Sequence, residues 1–137
     1  MKKGFYLKFM LACMTIMSVM ACSEPEQVEV LVVGGGASGV TAGIQSARMG
    51  VKTMMVEETP WLGGMLTAAG VSCVDGNYLM QSGIFGEFAD SLSARYGGAD
   101  ALKTGWVSNI NFDPHIGQEI FTNMTHACGD FLEVRRE

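Results

Sequence analysis

The chain has 137 residues, of which 48% are hydrophobic and 17% are charged, and its formal net charge at pH 7 is −5. This composition is typical of a globular domain with one modest core, and it excludes a disordered or collagen-like chain. The acidic balance comes without a basic stripe, so nucleic acid is not an expected partner, and charge alone would not hold the chain on anionic lipid.

The first 21 residues are predicted to be a signal peptide. Lys2, Lys3 and Lys8 form a positively charged start, and an apolar run over residues 9–21 follows. This run is shorter than the roughly 20 residues that a permanent membrane-spanning helix needs. Without the signal peptide, six basic residues face fourteen acidic ones, which gives a net charge of about −8.

The end of this run, Val19-Met20-Ala21-Cys22, resembles the lipobox of bacterial lipoprotein signal peptides. The resemblance implies cleavage before Cys22 and a lipid on that cysteine, so the protein would be exported and anchored to a membrane of the bacterial cell envelope. Met20 departs from the smaller residue that is commoner there, and an ordinary secretory signal is the alternative. Residues 22–27 would then be a short polar tether to a folded part over residues 28–137.

A strand, a glycine turn, a helix and a second strand are predicted from residue 28 onward. The apolar run 28–33 has the pattern of a strand buried in a parallel sheet. A helix is expected over residues 37–49, ended by Gly50, and residues 51–56 are the second strand. The sheet-facing side of this helix is marked by Val40, Ile44 and Ala47. Small residues keep the helix thin, so that it should lie close to the sheet: Ala42, Gly43 and Ser46.

Three glycines lie where the first strand ends and the helix begins. Gly34, Gly36 and Gly39 have the spacing G-x-G-x-x-G, and Glu57 lies near the expected distance of about 20 residues further on. Gly34 allows a tight turn, Gly36 lets the backbone approach a pyrophosphate, and Gly39 lets the helix pack closely on the strand. The helix N-terminus attracts phosphate, and Glu57 can accept hydrogen bonds from a ribose. The pattern predicts a dinucleotide-binding unit.

Two further helices are predicted after this unit. Apolar residues at helical spacing indicate a helix over residues 84–95, which the glycine pair 97–98 should end. Asp113 and Pro114 have the pattern of an N-cap followed by proline at the first helical position. The helix that they begin should fade near Gly129.

The cysteines, histidines and tryptophans receive no catalytic role from the sequence. Cys73 and Cys128 lack the spacing of a redox or metal motif and are expected to be unpaired, partly buried thiols, and a disulfide between them, which export would permit, is the alternative. His115 and His126 are expected at a helix surface or end. No metal site is expected. Both tryptophans, Trp61 and Trp106, are expected to be packing residues.

A glycine doublet narrows the choice of cofactor. Glu57, followed after five residues by Gly63 and Gly64, resembles the acid-then-Gly-Gly pattern of FAD-dependent oxidoreductases of the glutathione-reductase type. The stretch 61–72 is similar to the broader FAD-dependent oxidoreductase group, which is related to fumarate-reductase-type flavoproteins. The resemblance continues through less specific motifs at residues 83–88, 105–108 and 112–115, and it covers most of residues 28–127.

The resemblance implies an α/β fold, in which a Rossmann-like βαβ unit with a parallel sheet forms an incomplete FAD-binding domain with extra helices. It implies FAD as the cofactor and a reaction that moves electrons or hydride between a small organic substrate and the flavin. The substrate, the electron acceptor, the catalytic residues and the oligomeric state are left open. The implied cofactor contacts are Gly34, Gly36, Ala37, Ser38 and Gly39 at the pyrophosphate, Glu57 at the adenosine ribose, and Gly63, Gly64 and Met65 on the phosphate and ribityl side.

Members of this family build the FAD domain from separated parts of a longer chain, so residues 28–137 are expected to be an N-terminal portion without efficient turnover of its own. The resemblance implies an apolar strand after a glycine turn near this point, whereas residues 131–137 are expected to be weak as a strand, which suggests a truncation or frameshift near residue 128. The family also has a late Gly-Asp motif that follows a strand. Gly129-Asp130 copies this dipeptide but follows a helix, so we interpret it as a coincidence. Two other functions remain open. One is an NAD-binding dehydrogenase fragment, in which the charge of Glu57 disfavours a 2′-phosphate. The other is a non-catalytic envelope lipoprotein.

Overall fold

The computed structural model describes residues 26–75, 79–104 and 108–136. The predicted signal peptide, Cys22 and Trp106 lie outside these residues. Within them the chain folds into an α/β unit with one parallel sheet, as expected for a Rossmann-like FAD-binding portion. The strands, in the order β1-β2-β3, are β1 (Val30–Val33), β2 (Thr53–Glu57) and β3 (Leu132–Arg136).

Three α-helices are present in the described residues: α1 (Ala37–Arg48), α2 (Gly83–Tyr96) and α3 (Pro114–His126). Short 3-10 turns lie at Gly64–Leu66, Ala99–Leu102 and Gly129–Phe131. None of the described helices is long and apolar enough to cross a membrane.

The β1-α1-β2 unit has the predicted order, with strands shorter than the sequence pattern suggested. Helix α1 ends at Arg48, and Gly50 has a φ of +80°, which is the left-handed conformation expected of a residue that terminates a helix. Its predicted inner side is buried, with Val40 and Ile44 fully inaccessible. A Cβ atom placed on Gly43 would lie 3.4 Å from Leu132 Cδ1 and 3.5 Å from Met55 Cε. The expected close packing of α1 on the sheet is therefore confirmed.

The chain ending is a strand, and the expectation that it would be weak as a strand is wrong. Strand β3 runs parallel to β2, with Leu132 opposite Thr53 and Arg136 opposite Glu57. Leu132 is 7% exposed and Val134 also packs against the core, so two apolar residues anchor a strand whose exposed positions, 133 and 135, are charged. Gly129, with a φ of +57°, makes the turn that leads into β3.

This finding changes the interpretation of residues 129–136. The family resemblance led us to expect an apolar strand after a glycine turn at this point, and the structure has a strand there. The dipeptide Gly129-Asp130 belongs to the 3-10 turn that precedes β3. The hypothesis of a truncation or frameshift near residue 128 therefore loses the support that a missing strand gave it.

Both later helices begin and end as the sequence indicated. Gly97 follows α2 with a φ of +82°. The carboxylate of Asp113 caps α3 by accepting a hydrogen bond of 2.8 Å from the His115 N–H, and Pro114 is the first helical residue. Helix α3 ends at His126, so it stops before Gly129.

The core lies between the sheet and the helices on one of its faces. Phe88 of α2 stacks on Phe121 of α3 with ring centroids 4.3 Å apart, and it meets Phe112 edge-on at 5.5 Å. On the opposite face of the sheet, Leu31 and Val33 of β1 are 56% and 78% exposed. The structure therefore buries one face of the sheet and leaves apolar side chains of β1 on the other.

Candidate cofactor site

The turn between β1 and α1 requires glycine at two positions for different reasons. Gly34 has a φ of +97°, and its N–H donates a hydrogen bond of 2.8 Å to the Val56 carbonyl, which ties the turn to β2. A Cβ atom on Gly39 would lie 1.9 Å from the Gly34 carbonyl oxygen, so any side chain there would collide with the backbone. The predicted structural roles of Gly34 and Gly39 are confirmed.

The N-terminus of α1 is open and carries no negative charge of its own. Gly36 is the N-cap residue, no side chain caps the helix, and its first turn contains no acidic residue. A Cβ atom on Gly36 would have no neighbour within 4 Å. Because the first amides of a helix carry partial positive charge, this end of α1 can accept an anion.

Glu57 ends β2 and turns its carboxylate back toward the glycine turn. Its Oε2 accepts a hydrogen bond of 2.5 Å from the Gly35 N–H, and its Oε1 accepts from the N–H and the hydroxyl of Thr59, at 2.9 and 2.7 Å. Burial by itself would raise the pKa of Glu57, but the three hydrogen bonds together outweigh burial and lower that pKa below its ordinary value. Glu57 is therefore a charged carboxylate in a fixed orientation at neutral pH.

The glycine doublet folds back onto the glycine turn. The Gly63 N–H donates a hydrogen bond of 2.8 Å to the Gly35 carbonyl, and Gly63 forms an isolated parallel bridge with Gly36. Gly63 and Gly64 have φ values of +109° and +55°, and a Cβ atom on Gly64 would lie 3.0 Å from Gly36 Cα. The structure thus brings together two motifs that the sequence placed in one site.

Buried residues on both sides of the doublet are joined to each other by a hydrogen bond. Leu62 is fully buried, and its carbonyl accepts a hydrogen bond of 2.6 Å from the hydroxyl of the buried Thr67. Met65, which the family resemblance implied as a cofactor contact, lies on the 3-10 turn with its side chain 68% exposed. Its contact with a cofactor stays a prediction.

A cavity of about 650 Å³ opens at the carboxyl ends of the three strands, which is the edge of an α/β sheet where ligands bind. Its wall combines apolar, acidic and basic residues. They are Val33, Gly34, Val56, Glu57, Glu58, Arg135 and Arg136.

Sequence reasoning missed Gly35, Thr59 and Arg136. A Cβ atom on Gly35 would lie 2.7 Å from Leu62 Cδ2 and 3.0 Å from Glu57 Cβ, so glycine is needed at a position that the G-x-G-x-x-G pattern leaves free. The run of three consecutive glycines was the available signal. Thr59 acts locally, on the carboxylate of Glu57 two residues earlier. Arg136 gave no local signal, because its partner Pro60 lies 76 residues earlier in the chain.

The two described cysteines and the two histidines are the other candidate groups. Cys73 and Cys128 are free, half-buried thiols, as expected, and burial raises the pKa of Cys128. His115 is an exposed residue in the first turn of α3, where it meets Trp61 edge-on at 6.1 Å, and His126 is the last residue of that helix. Across the described ranges, no three His, Cys, Asp or Glu residues group closely enough to hold a metal ion.

Comparison with known protein families identifies the class to which this assembly belongs. Residues 29–132 match the model of a family described as FAD dependent oxidoreductase. The chain belongs to the FAD dependent oxidoreductase family. FAD is the cofactor that this membership implies, in agreement with the acid-then-Gly-Gly resemblance.

The chain is also similar to short parts of several curated oxidoreductases. It is 36% identical over 72 residues to dihydrolipoyl dehydrogenase, mitochondrial, of Dictyostelium discoideum, covering 53% of this chain and 14% of that protein. It is 37% identical over 60 residues to leghemoglobin reductase of Glycine max, covering 44% of this chain and 11% of that protein. The chain thus spans less than a sixth of the length of these relatives. Among solved structures, THI4 of Thermovibrio ammonificans aligns with 99% of this chain and 46% of its own, at 18% identity and a TM-score of 0.47.

The residues around the cavity fit FAD at its adenosine diphosphate end. The open end of α1 suits a pyrophosphate because it presents backbone amides without an acidic side chain nearby. The space beside Gly36, which a side chain would fill, leaves room for that group. Glu57 keeps its charge and orientation, and a carboxylate of this kind can accept hydrogen bonds from ribose hydroxyls.

Proposed function

We propose that this chain is the N-terminal FAD-binding portion of an FAD-dependent oxidoreductase that moves electrons or hydride between a small organic substrate and the flavin. One observation carries the proposal, namely that Gly63 bridges to Gly35 and Gly36 beside the open N-terminus of α1. That bridge gathers the glycine turn and the glycine doublet at a single edge of the sheet. The oxidoreductase names of the similar proteins support the same class of activity.

The pyrophosphate of FAD would be held by backbone rather than by side chains. Gly34 and Gly36 let the turn come close to it, and the amides of Ala37, Ser38 and Gly39 begin the helix that faces it. Partial positive charge from the aligned peptides of α1 offsets the charge of the two phosphates. No lysine or arginine is needed at this position.

Glu57 would bind the hydroxyls of the adenosine ribose. Three of its hydrogen bonds come from the protein, so the carboxylate is preorganised and has little rotational freedom to lose on binding. Gly63, Gly64 and Met65 would then line the path from the phosphates toward the ribityl chain. The flavin supplies the redox chemistry when it is bound, and the protein supplies position and electrostatics.

We also propose that the protein is exported and held on a bacterial cell-envelope membrane by a lipid on Cys22. The lipobox resemblance at residues 19–22 and the positive, apolar leader support this proposal. Metabolic labelling with radioactive palmitate tests it, since the wild-type protein should take up label and Cys22→Ala should not. Label in both proteins, or in neither, contradicts lipidation at Cys22.

Titration of the full chain with FAD tests the central proposal. We expect quenching of flavin fluorescence with a measurable Kd in the wild-type protein and a Kd at least about tenfold higher in Glu57→Ala, because the lost contact is a charge-assisted hydrogen bond. Asp90→Ala removes an exposed acid of α2 and is the matched control, with an unchanged Kd. Binding of NAD in place of FAD would favour the dehydrogenase alternative, and a stable chain that binds neither would favour a non-catalytic lipoprotein.

A further inference from the structure

We propose that Arg136 is a positioning residue, which holds the segment between Glu57 and Gly63 in the conformation that receives the adenosine end of the cofactor. The inference rests on the proposed FAD binding. It concerns a side chain of β3, the strand that the sequence did not predict.

The register of the sheet places Arg136 beside Glu57. These two residues are paired in β2 and β3, and both lie in the wall of the 650 Å³ cavity. Arg136 Nη1 donates a hydrogen bond of 3.0 Å to the Pro60 carbonyl, and Nη2 donates one of 3.3 Å to the hydroxyl of Thr122 in α3. One guanidinium therefore joins β3, the segment that follows β2, and α3.

The contact with Pro60 is made at the middle of the segment. Near its start, Thr59 donates two hydrogen bonds to Glu57, and at its end the Gly63 N–H donates to the Gly35 carbonyl. Arg136 adds a tie from outside the segment, between these two anchors. A planar guanidinium can hold two partners at a fixed angle, which an ammonium group does less well.

The charge of Arg136 is a second contribution to this edge of the sheet. Glu57 and Glu58 both line the cavity, and the cofactor brings a pyrophosphate. Arg136 brings a positive charge to the same wall, which offsets part of the negative charge gathered there. Arg135 lies on the other face of β3, where it pairs with Glu133 and Glu26.

Arg95 is the matched control for Arg136. It is an exposed arginine in the last turn of α2 and is not part of the cavity wall, so its replacement removes the same charge without touching the segment. The experiment measures the Kd of FAD and of ADP for the full chain by fluorescence titration and competition, together with the thermal midpoint. The variants are Arg136→Met, Arg136→Lys, Arg136→Gln and Arg95→Met.

We expect Arg136→Met to raise the Kd of both FAD and ADP about tenfold, since it removes a charged hydrogen-bond donor from the segment. Arg136→Lys should recover part of that loss, and Arg95→Met should bind as the wild-type protein does. ADP carries only the adenosine diphosphate end, so a parallel loss with ADP assigns the effect to that end. If Arg136→Met does not fold, Arg136→Lys and Arg136→Gln provide the comparison.

Three results would overturn the inference. Wild-type affinity in the folded Arg136 variants, with only a lower thermal midpoint, would give Arg136 a purely structural role while leaving FAD binding intact. Equal losses in Arg95→Met and Arg136→Met would assign the effect to net charge. Absence of FAD binding in the wild-type chain would remove the proposed function, and this inference with it.

Discussion

The N–H of Gly35 donates a hydrogen bond of 2.5 Å to Oε2 of Glu57, a residue 22 positions later in the chain. This bond joins the glycine turn after β1 to the acid that ends β2, the two features that define the dinucleotide-binding pattern. It also explains why glycine stands at position 35, since a Cβ atom there would lie 2.7 Å from Leu62 Cδ2. The turn and the acid are one physical unit.

Gly35→Ala should therefore destabilise the fold and disturb Glu57 together. Overpacking of a filled site typically costs about 1–3 kcal/mol, so we expect the free energy of unfolding to fall by about that amount. Urea denaturation followed by circular dichroism measures the change. An alanine variant as stable as the wild-type protein would mean that Leu62 moves aside without cost.

Gly36→Ala should have the opposite profile. Its Cβ atom would have no neighbour within 4 Å, and the φ of −62° at Gly36 suits alanine. We expect a loss of about 1 kcal/mol or less in the free energy of unfolding, because alanine is a poorer N-cap than glycine. The FAD affinity should fall much more, since the methyl group occupies the space that we assign to the pyrophosphate. Parallel urea and FAD titrations separate the two effects, and unchanged FAD affinity would place the pyrophosphate elsewhere.

Glu57 should make the stability of the chain depend on pH in the acidic range. Its folded pKa is lowered from an ordinary value of 4.5, so its contribution is fully present above about pH 4.5 and is lost as the pH falls through the lower folded pKa. The advantage of the wild-type protein over Glu57→Gln in free energy of unfolding should therefore shrink from pH 6 toward pH 3. Urea denaturation of both proteins at several pH values measures this difference. A constant or growing difference would contradict the assigned hydrogen bonds.

Leu132→Ala tests whether β3 anchors the sheet. Leu132 is 7% exposed and approaches the Cβ position of Gly43 in α1, so truncation should cost about 2–5 kcal/mol of the free energy of unfolding. Phe131→Ala is the control, because the neighbouring aromatic side chain is 50% exposed and should change stability by no more than about 0.5 kcal/mol. Similar losses in both variants would mean that the difference in burial does not govern the stability of this end of the chain.

The sequence by itself determined the β1-α1-β2 unit and the start of α3. The glycines at positions 34 and 39, the buried side of α1, and the Asp113-Pro114 start of α3 act through residues close to them in the chain, so spacing alone predicts them. The family followed from the same local patterns, because only five residues separate the acid at the end of β2 from the glycine doublet.

Only the tertiary structure decided the parts that depend on distant partners. A five-residue segment in which three residues are charged is not recognisable as a strand until β2 offers it hydrogen bonds and α1 covers Leu132. Gly63 bonds to Gly35 because the segment after β2 folds back onto the glycine turn. Arg136 bonds to the Pro60 carbonyl, 76 residues earlier in the chain. These contacts combine the predicted motifs into one cavity, and their energy comes from burial and pairing that no local pattern encodes.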